Sequence, residues 1–245
     1  VGSEMCIRDS CNHVSNVFGC VQPVEEMAAL CVEAGVPFLL DASQSAGILP
    51  VRMDTLHAAF IAMPGHKGLY GPQGTGLLLC NHEAAPLLYG GTGSLSKLQT
   101  MPDMLPDRLE SGTHNMPGIA GLLEGIRYVQ RTGVETIAAH ERRLTAQAVA
   151  LLRQTEGIRL FWRDGFCHQT GVLSFVVEGV DCEELGEALA RQGIALRAGL
   201  HCAPLAHRTV GTLKTGTVRF SPSAFNTSQQ VVQFAQILQR TIRKM

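Results

Sequence analysis

Short apolar segments that alternate with helical patterns constrain the fold of this chain more than any other feature. Residues 36–40 and 58–63 are too short for helices and almost wholly apolar, as are strands that are buried on both faces of a sheet. The first of them follows a helical pattern over 23–35, which begins at a proline and ends at a glycine. A helix that leads directly into a buried strand is typical of an α/β fold.

The same patterns predict the remaining elements. A strand is predicted at 77–79, and helices are predicted at 118–131 and 134–156. The last hundred residues form a second α/β region. Its predicted strands are 158–162, 171–177, 194–197 and 216–221, and its predicted helices are 181–192 and 227–243. We therefore expect two domains, 1–132 and 133–245.

The composition argues against several classes of function. Twenty basic and 21 acidic residues give a net charge of −1, which provides no positive field for nucleic acid. No run of about 20 apolar residues occurs, so we expect no membrane span. The eight cysteines are irregularly spaced, without the short spacings of a zinc site. We expect free thiols, no bound metal and a cytoplasmic location.

The first ten residues, 1–10, differ from the rest of the chain. They have neither a helical nor a strand period, and they run directly into a sequence typical of a domain interior. They also resemble translated adapter sequence. We expect these residues to be non-native and the chain to be the C-terminal part of a longer protein.

Three polar side chains follow the predicted strands of the first domain. Asp41 ends the strand 36–40, at the edge where open α/β sheets place ligands, and Gln44 follows it. Lys67 lies in a loop of tight turns, 64–76. A lysine held out of water is a ready nucleophile for carbonyl compounds, and a strand-end carboxylate can pair with a protonated pyridine nitrogen. An ordinary loop lysine and a capped turn are the alternatives that these residues leave open.

Cys202 has the most polar neighbourhood of the eight cysteines. Arg197, His201 and His207 lie near it in the sequence, and cationic neighbours favour the thiolate, which is the nucleophilic form. A glycine and a proline on either side of it predict a loop. A bystander thiol is the alternative.

Four motifs occur together in one order. They are D-A-S-Q at 41–44, G-H-K at 65–67, R-A-G-L-H-C at 197–202 and R-F-S at 219–221. From about Asn12 onward the chain resembles the class V aminotransferases, and among them the cysteine desulfurases, here N-terminally truncated. The resemblance implies fold type I of the pyridoxal-phosphate-dependent transferases. Residues 1–132 would be the C-terminal part of the large cofactor-binding domain, and 133–245 the small α/β domain that carries the catalytic cysteine.

The resemblance also implies a role for each matching residue around pyridoxal 5'-phosphate. Lys67 would bind the cofactor covalently, Asp41 would pair with the pyridine nitrogen, and Gln44 would hold the ring hydroxyl oxygen. His66, which we count among the catalytic residues, would contact the cofactor phosphate or its surroundings. Thr113 would reach the phosphate of the neighbouring subunit's cofactor in a homodimer.

The implied reaction takes sulfur from L-cysteine. Asn16 and Arg219 would hold the substrate carboxylate, with Arg197 as a weaker contact. Cys202 would receive the sulfur as a persulfide while L-alanine is released. The persulfide would then pass to a sulfur-acceptor protein for iron–sulfur cluster or thiolated-cofactor assembly.

Two departures from the family pattern bear on cofactor binding. Pro64 stands where the family has a serine or threonine that donates to the phosphate. The phosphate-binding turn and the residue that stacks on the pyridine ring are not found upstream of Asn12. We therefore expect weak or absent cofactor binding by the chain as it stands. Two alternatives stay open: a selenocysteine lyase or another class V aminotransferase or lyase, and an inactive domain that only binds a sulfur-relay partner.

Overall fold

The computed structural model describes residues 9–95, 97–162 and 168–245, and it divides the chain into two compact units. The first eight residues of the expected non-native segment lie outside the described residues, as do Cys6 and Cys167. The first unit comprises the residues up to Cys11, Val24–Ala46 and Val51–Arg131, and the second comprises Asn12–Pro23, Gly47–Pro50 and Thr132–Met245. The second unit thus includes two segments from the N-terminal half of the chain.

The first unit is built on a mixed four-stranded sheet. In spatial order its strands are β1 (Asp9–Asn12), β2 (Phe38–Asp41), β3 (Phe60–Pro64) and β4 (Gly76–Cys80). Strands β2 and β3 are parallel, with Asp41 level with Ala62, and β4 runs antiparallel to β3. Its helices are α1 (Val24–Glu33), α2 (Met53–Leu56) and α3 (Met116–Thr132), with a 3₁₀ turn at Gly93–Leu95. Asp41 and Pro64, the last residues of β2 and β3, therefore lie at the same end of the sheet, where the two parallel strands terminate.

The second unit has an antiparallel sheet and one apolar core. The strands lie in the order β5 (Ile158–Phe161), β6 (Leu173–Val177), β8 (Thr217–Phe220) and β7 (Arg197–Gly199). The helices are α4 (Val134–Leu152), α5 (Cys182–Ala190), α6 (Pro204–Thr209) and α7 (Ser228–Ile242). Leu144, Phe175, Leu185 and Leu238 are fully or almost fully buried, and they bring three helices and a strand into the same core.

The α/β class and most predicted elements are confirmed, and two differences have local causes. The strand predicted at 194–197 begins only at Arg197, because the Ile194 amide donates to Leu189 O at the end of α5 and is still part of the helix terminus. Helix α6 escaped the pattern analysis because its six residues are too few to show a period. Within the described residues, no helix is long and apolar enough to cross a membrane.

A carboxyl group is buried in the second unit, and the sequence pattern did not identify it. Glu141 on α4 is only 6% exposed. A Cβ atom on Gly171 would lie 2.7 Å from Glu141 Cβ, so the backbone around Gly171 packs directly against Glu141. Burial raises the pKa of Glu141 from 4.5 to about 7.

Glu141→Gln is expected to stabilise the second unit by about 2 kcal/mol more at pH 8 than at pH 5. A raised folded-state pKa gives stability that is present below the unfolded pKa and is lost as the pH rises through about 7. Glutamine is neutral at both pH values and avoids this loss. Urea unfolding followed by the fluorescence of Trp162, the chain's one tryptophan, measures the difference. An equal effect at both pH values would contradict the raised pKa.

Candidate active site

The loop between β3 and β4 presents His66 and Lys67 to solvent. Three backbone hydrogen bonds close this loop: Gly71 N to Gly65 O at 2.7 Å, Tyr70 N to Lys67 O at 2.9 Å, and Gly65 N to Thr75 O at 2.8 Å. The two side chains project from the closed loop and are exposed. Among the described residues Lys67 is exposed, so the interpretation that it is held out of water is wrong for the structure of this chain.

Helix α3 packs against this loop through a glycine face, formed by Gly118, Gly121 and Gly125. A Cβ atom on Gly125 would collide with Leu69 O, and one on Gly121 would lie 3.2 Å from the Pro72 ring. The loop contributes its own glycines: a Cβ on Gly71 would lie 2.7 Å from Leu122 Cδ1, and one on Gly65 would meet Thr75 Oγ1. The loop backbone that bears Lys67 is therefore seated directly on the helix.

Asp41 lies at the carboxyl end of β2, beside the strand that leads to Lys67. Its side chain is exposed, and Oδ1 accepts a hydrogen bond from Ser43 N at 2.8 Å. The capped turn that the sequence left open is thus present, and it fixes the orientation of the carboxylate. Gln44 is half-buried, and the buried Ser45 Oγ beside it has no hydrogen-bond partner among the described residues.

Thr113 lies in a cavity between two glycine-containing segments of the first unit. The cavity has a volume of ≈ 440 Å³ and is lined by Gly91–Gly93, Asp107, Glu110, Gly112–His114 and Met116. The segments are joined by Gly112 N donating to Gly90 O at 3.2 Å. The side-chain cap of α3 is Asn115, whose Oδ1 accepts from Gly118 N at 3.1 Å. Asn115, and not Thr113, thus provides the side-chain cap of α3, and the sequence had not identified Asn115 in this role.

Cys202 lies on a tight turn in the second unit, between β7 and α6. The turn is closed by Ala203 N donating to Leu200 O at 2.9 Å. The side chain of Cys202 is exposed, whereas His201 is only 5% exposed. The described cysteines are all free thiols, and Cys202 is the one classed as exposed. The predicted loop position of Cys202 is confirmed.

The two residues implied to bind a carboxylate are brought together beside this turn. Asn16 Nδ2 donates to His201 O at 2.6 Å, and Arg219 donates to Asn16 O at 2.7 Å. Arg219 Nε is buried without a partner among the described residues. Arg197 is exposed, and its position on β7 lies directly opposite that of Arg219 on β8. Burial, and to a smaller extent the charge of Arg197, lowers the pKa of Arg219.

Two histidines near Cys202 are buried and neutral. His201 Nε2 lies 3.1 Å from both Thr217 O and Thr217 Oγ1, and His207 Nδ1 lies 2.8 Å from Thr212 Oγ1. Burial, followed by the charge of Arg219, lowers the pKa of His201 to about 4, and burial also lowers the pKa of His207. The expectation that these histidines act as cations beside Cys202 is wrong, because burial disfavours their charged form.

The predicted site residues thus fall into two sets. The first unit carries Asp41, Gln44, His66, Lys67 and Thr113, and the second carries Asn16, Arg197, Cys202 and Arg219. The placement of Asn16 in the second unit was not evident from its position in the sequence. Across the described residues, no group of three or more His, Cys, Asp or Glu side chains is placed to hold a metal ion.

Comparisons with known proteins match residues 10–234 to a family described as aminotransferase class-V. A probable cysteine desulfurase from Mycolicibacterium paratuberculosis is 37% identical over 235 residues, which cover 94% of this chain and 34% of that protein. A cysteine desulfurase from Synechococcus elongatus is 38% identical over 237 residues, which cover 94% of this chain and 37% of that protein.

A solved structure gives the same result for the fold. The apo structure of a cysteine desulfurase from Thermococcus onnurineus superposes with a TM-score of 0.86 at 32% identity, covering 96% of this chain and 60% of that one. The chain therefore spans less than two thirds of the length of each of these relatives.

Proposed function

Because the chain belongs to the class V aminotransferase family, we propose that the whole protein is a pyridoxal-phosphate-dependent cysteine desulfurase. It would convert L-cysteine to L-alanine and leave the sulfur on Cys202. One observation carries the proposal most directly: an exposed thiol stands on a turn that is hydrogen-bonded to Asn16, which in turn contacts Arg219. In the proposed roles, the nucleophile and the carboxylate-binding group would therefore lie in the same part of one unit.

The residues of the first unit fit pyridoxal phosphate. Asp41 and Lys67 follow the carboxyl ends of two adjacent parallel strands, and both side chains are exposed. A carboxylate and a primary amine are the groups that pair with a pyridine nitrogen and bond to an aldehyde carbon. We propose that Lys67 holds the cofactor covalently, that Asp41 and Gln44 hold its ring, and that His66 contacts its phosphate. Residues 1–132 would then belong to the cofactor-binding domain and 133–245 to the small domain.

Pro64 removes one phosphate contact from this arrangement. It is the last residue of β3, where it pairs with Gly76, and it has no amide hydrogen or hydroxyl to donate. The proposed phosphate contacts therefore depend on other groups, including Thr113 from a second subunit. This is one of the two reasons for expecting weak or absent cofactor binding by the chain as it stands.

When bound, the cofactor supplies an electron sink for negative charge at the substrate α-carbon. The guanidinium of Arg219 and the amide of Asn16 would orient the substrate carboxylate, with Arg197 adding positive charge. The amine of Lys67 would accept the α-proton. The Cys202 thiolate would attack the substrate sulfur: an S–S bond forms as the C–S bond breaks, and the carbon retains the electron pair and takes up a proton. L-Alanine and a Cys202 persulfide result, and a sulfur-acceptor protein would receive the persulfide sulfur.

Thr113→Ala is expected to weaken pyridoxal phosphate binding by the whole protein about tenfold and to leave its stability nearly unchanged. The reason is that the proposed contact of Thr113 is with a phosphate in a homodimer, whereas Asn115 already caps α3. Titration of the apoprotein with cofactor, together with sedimentation, measures affinity and assembly.

Asn115→Ala is the matched control for Thr113→Ala. It removes the cap and is expected to cost about 1 kcal/mol of stability, with a smaller effect on cofactor affinity. If Thr113→Ala instead destabilises the protein as much as Asn115→Ala and binds cofactor normally, Thr113 has no role at a shared site.

The proposed function is tested with the whole protein loaded with pyridoxal phosphate. Incubation with L-cysteine should yield alanine and a persulfide in the peptide that contains Cys202. Parallel assays with selenocysteine, and with alanine and a keto acid, distinguish a selenocysteine lyase and a transaminase. No product from any of these substrates, together with tight binding of a sulfur-relay partner, would support an inactive binding domain instead.

A further inference from the structure

Two consecutive residues of the cysteine turn have left-handed backbone conformations. The φ angle is +51° at His201 and +60° at Cys202. Residues with a Cβ atom adopt this region at a cost, and they keep it only where the surroundings over-determine it. The contacts that hold the turn therefore identify the residues that orient the Cys202 thiol.

His201 is held from both its backbone and its side chain. Its carbonyl accepts from Asn16 Nδ2 at 2.6 Å, and its ring Nε2 lies 3.1 Å from Thr217 O on β8. The ring is 5% exposed, whereas the next side chain, Cys202, is exposed. The buried ring thus anchors the turn to the sheet while the thiol points to solvent.

The surroundings of the His201 ring favour its neutral form, and its partner is Thr217. Nε2 lies 3.1 Å from both Thr217 O, to which it can donate, and Thr217 Oγ1, from which it can accept, so either neutral tautomer bonds to Thr217. Burial and the nearby Arg219 and Arg197 keep the ring neutral near pH 7. Nδ1 is buried and has no partner among the described residues. A neutral ring that is hydrogen-bonded to Thr217 through Nε2 can anchor the turn to β8.

We propose that His201 is a positioning residue for Cys202, whose buried ring, hydrogen-bonded to Thr217, holds the left-handed turn that presents the thiol. The inference rests on the proposed function of Cys202 as sulfur acceptor, and it adds the residue that orients this acceptor. Asn16 supports the same turn, but its proposed contact with the substrate makes it a poorer probe. His201 contacts neither substrate nor cofactor in the proposed reaction.

Amide hydrogen exchange of the turn tests the inference without any chemistry at the thiol. His201→Leu keeps an apolar body of similar volume but cannot donate, whereas His201→Gln retains a donor directed at Thr217. In this chain we expect exchange at Ala203 to be roughly tenfold faster in the Leu variant and within about threefold of the original in the Gln variant. Unchanged exchange in the Leu variant overturns the proposal, whether or not the whole protein is a desulfurase.

His201→Gly is the second variant, for the case that leucine prevents folding. Glycine adopts the left-handed region freely, so this variant removes the ring without adding backbone strain. It is expected to show the same acceleration at Ala203. Exchange at the original rate would mean that the ring does not hold the turn, and this also overturns the proposal.

His207→Leu is the matched control for general loosening. The His207 ring is fully buried, with its centroid 5.8 Å from that of His201. Its Nδ1 bonds to Thr212 Oγ1, and the ring also interacts with the backbone of Leu200, but neither of these residues lies on β8. We expect this variant to lose stability and to accelerate exchange at Ala203 by no more than about threefold, well below the effect of His201→Leu. An equal acceleration in both Leu variants would assign His201 a merely structural role and overturn the proposal.

In the whole, cofactor-loaded protein, His201→Leu should slow persulfide formation on Cys202 roughly tenfold, and His201→Gln should restore it. The borohydride-reducible cofactor adduct should be formed at the original level in both variants, because the first unit carries Lys67. Loss of the adduct in the Leu variant would show a defect outside the turn and contradict the inference. A protein that forms no persulfide in any version contradicts the proposed function, and the exchange result stands separately.

Discussion

Lys67→Ala in the whole protein is expected to abolish the borohydride-reducible adduct with pyridoxal phosphate and to lower alanine formation from cysteine by at least about a thousandfold. Lys67 is the primary amine presented by the closed loop after β3, beside the strand end that carries Asp41. Without this amine, no group remains to form the covalent bond to the cofactor or to accept the α-proton in the proposed reaction. Reduction with borohydride followed by peptide mapping identifies the modified lysine directly.

Two further variants test whether the effect of Lys67→Ala comes from loss of the primary amine itself, rather than from loss of a positive charge or of any exposed lysine. Lys67→Arg keeps a positive charge but cannot form the bond to the cofactor, and it is expected to be as inactive as the alanine variant. Lys97→Ala removes another exposed lysine of the first unit and should change neither the adduct nor the activity. An adduct that survives in Lys67→Ala would remove Lys67 from the proposed site.

Cys202→Ser is expected to retain the cofactor adduct and to lower alanine formation by about a hundredfold or more. The thiol is proposed to act on the substrate sulfur and not to hold the cofactor, and a serine hydroxyl is a poor nucleophile at neutral pH. Cofactor absorbance measures the first property, and amino-acid analysis together with a persulfide assay measures the second. Cys20→Ser, a change at a half-buried cysteine of the same unit, is the control and should behave like the original protein. Alanine release at the original rate in Cys202→Ser would make Cys202 a bystander.

The elements around the candidate site could be predicted from the sequence because their signals are local. The apolar stretch that ends in Asp41 is a buried strand, and the glycine-rich stretch that contains Lys67 is a loop between two strands. Asp181 caps α5, where its carboxylate accepts from Glu183 N and Glu184 N. Each of these features depends on residues within a few positions of one another.

Long-range packing accounts for what the sequence did not reveal. The hydrogen bond from Asn16 to His201 O joins residues 185 positions apart, and no periodic pattern encodes such a contact. The same packing buries His201 and His207, which the sequence presents as two titratable groups beside a cysteine. Burial also sets the ionisation of Glu141. From the sequence alone, a glutamate on a helix is expected to be exposed to solvent and charged. Side-chain ionisation near the site is thus a property of the tertiary structure.

The glycine face of α3 limits how the candidate lysine can move. Since no side chain separates the helix from the loop at Gly125 and Leu69, the two backbones form a single stiff body. Any movement of the loop relative to α3 would have to disrupt this close packing at Gly125, Gly121 and Gly71. In the proposed site, the flexible four-carbon side chain of Lys67 would therefore provide the movement toward and away from the cofactor, while the loop backbone stays packed on α3.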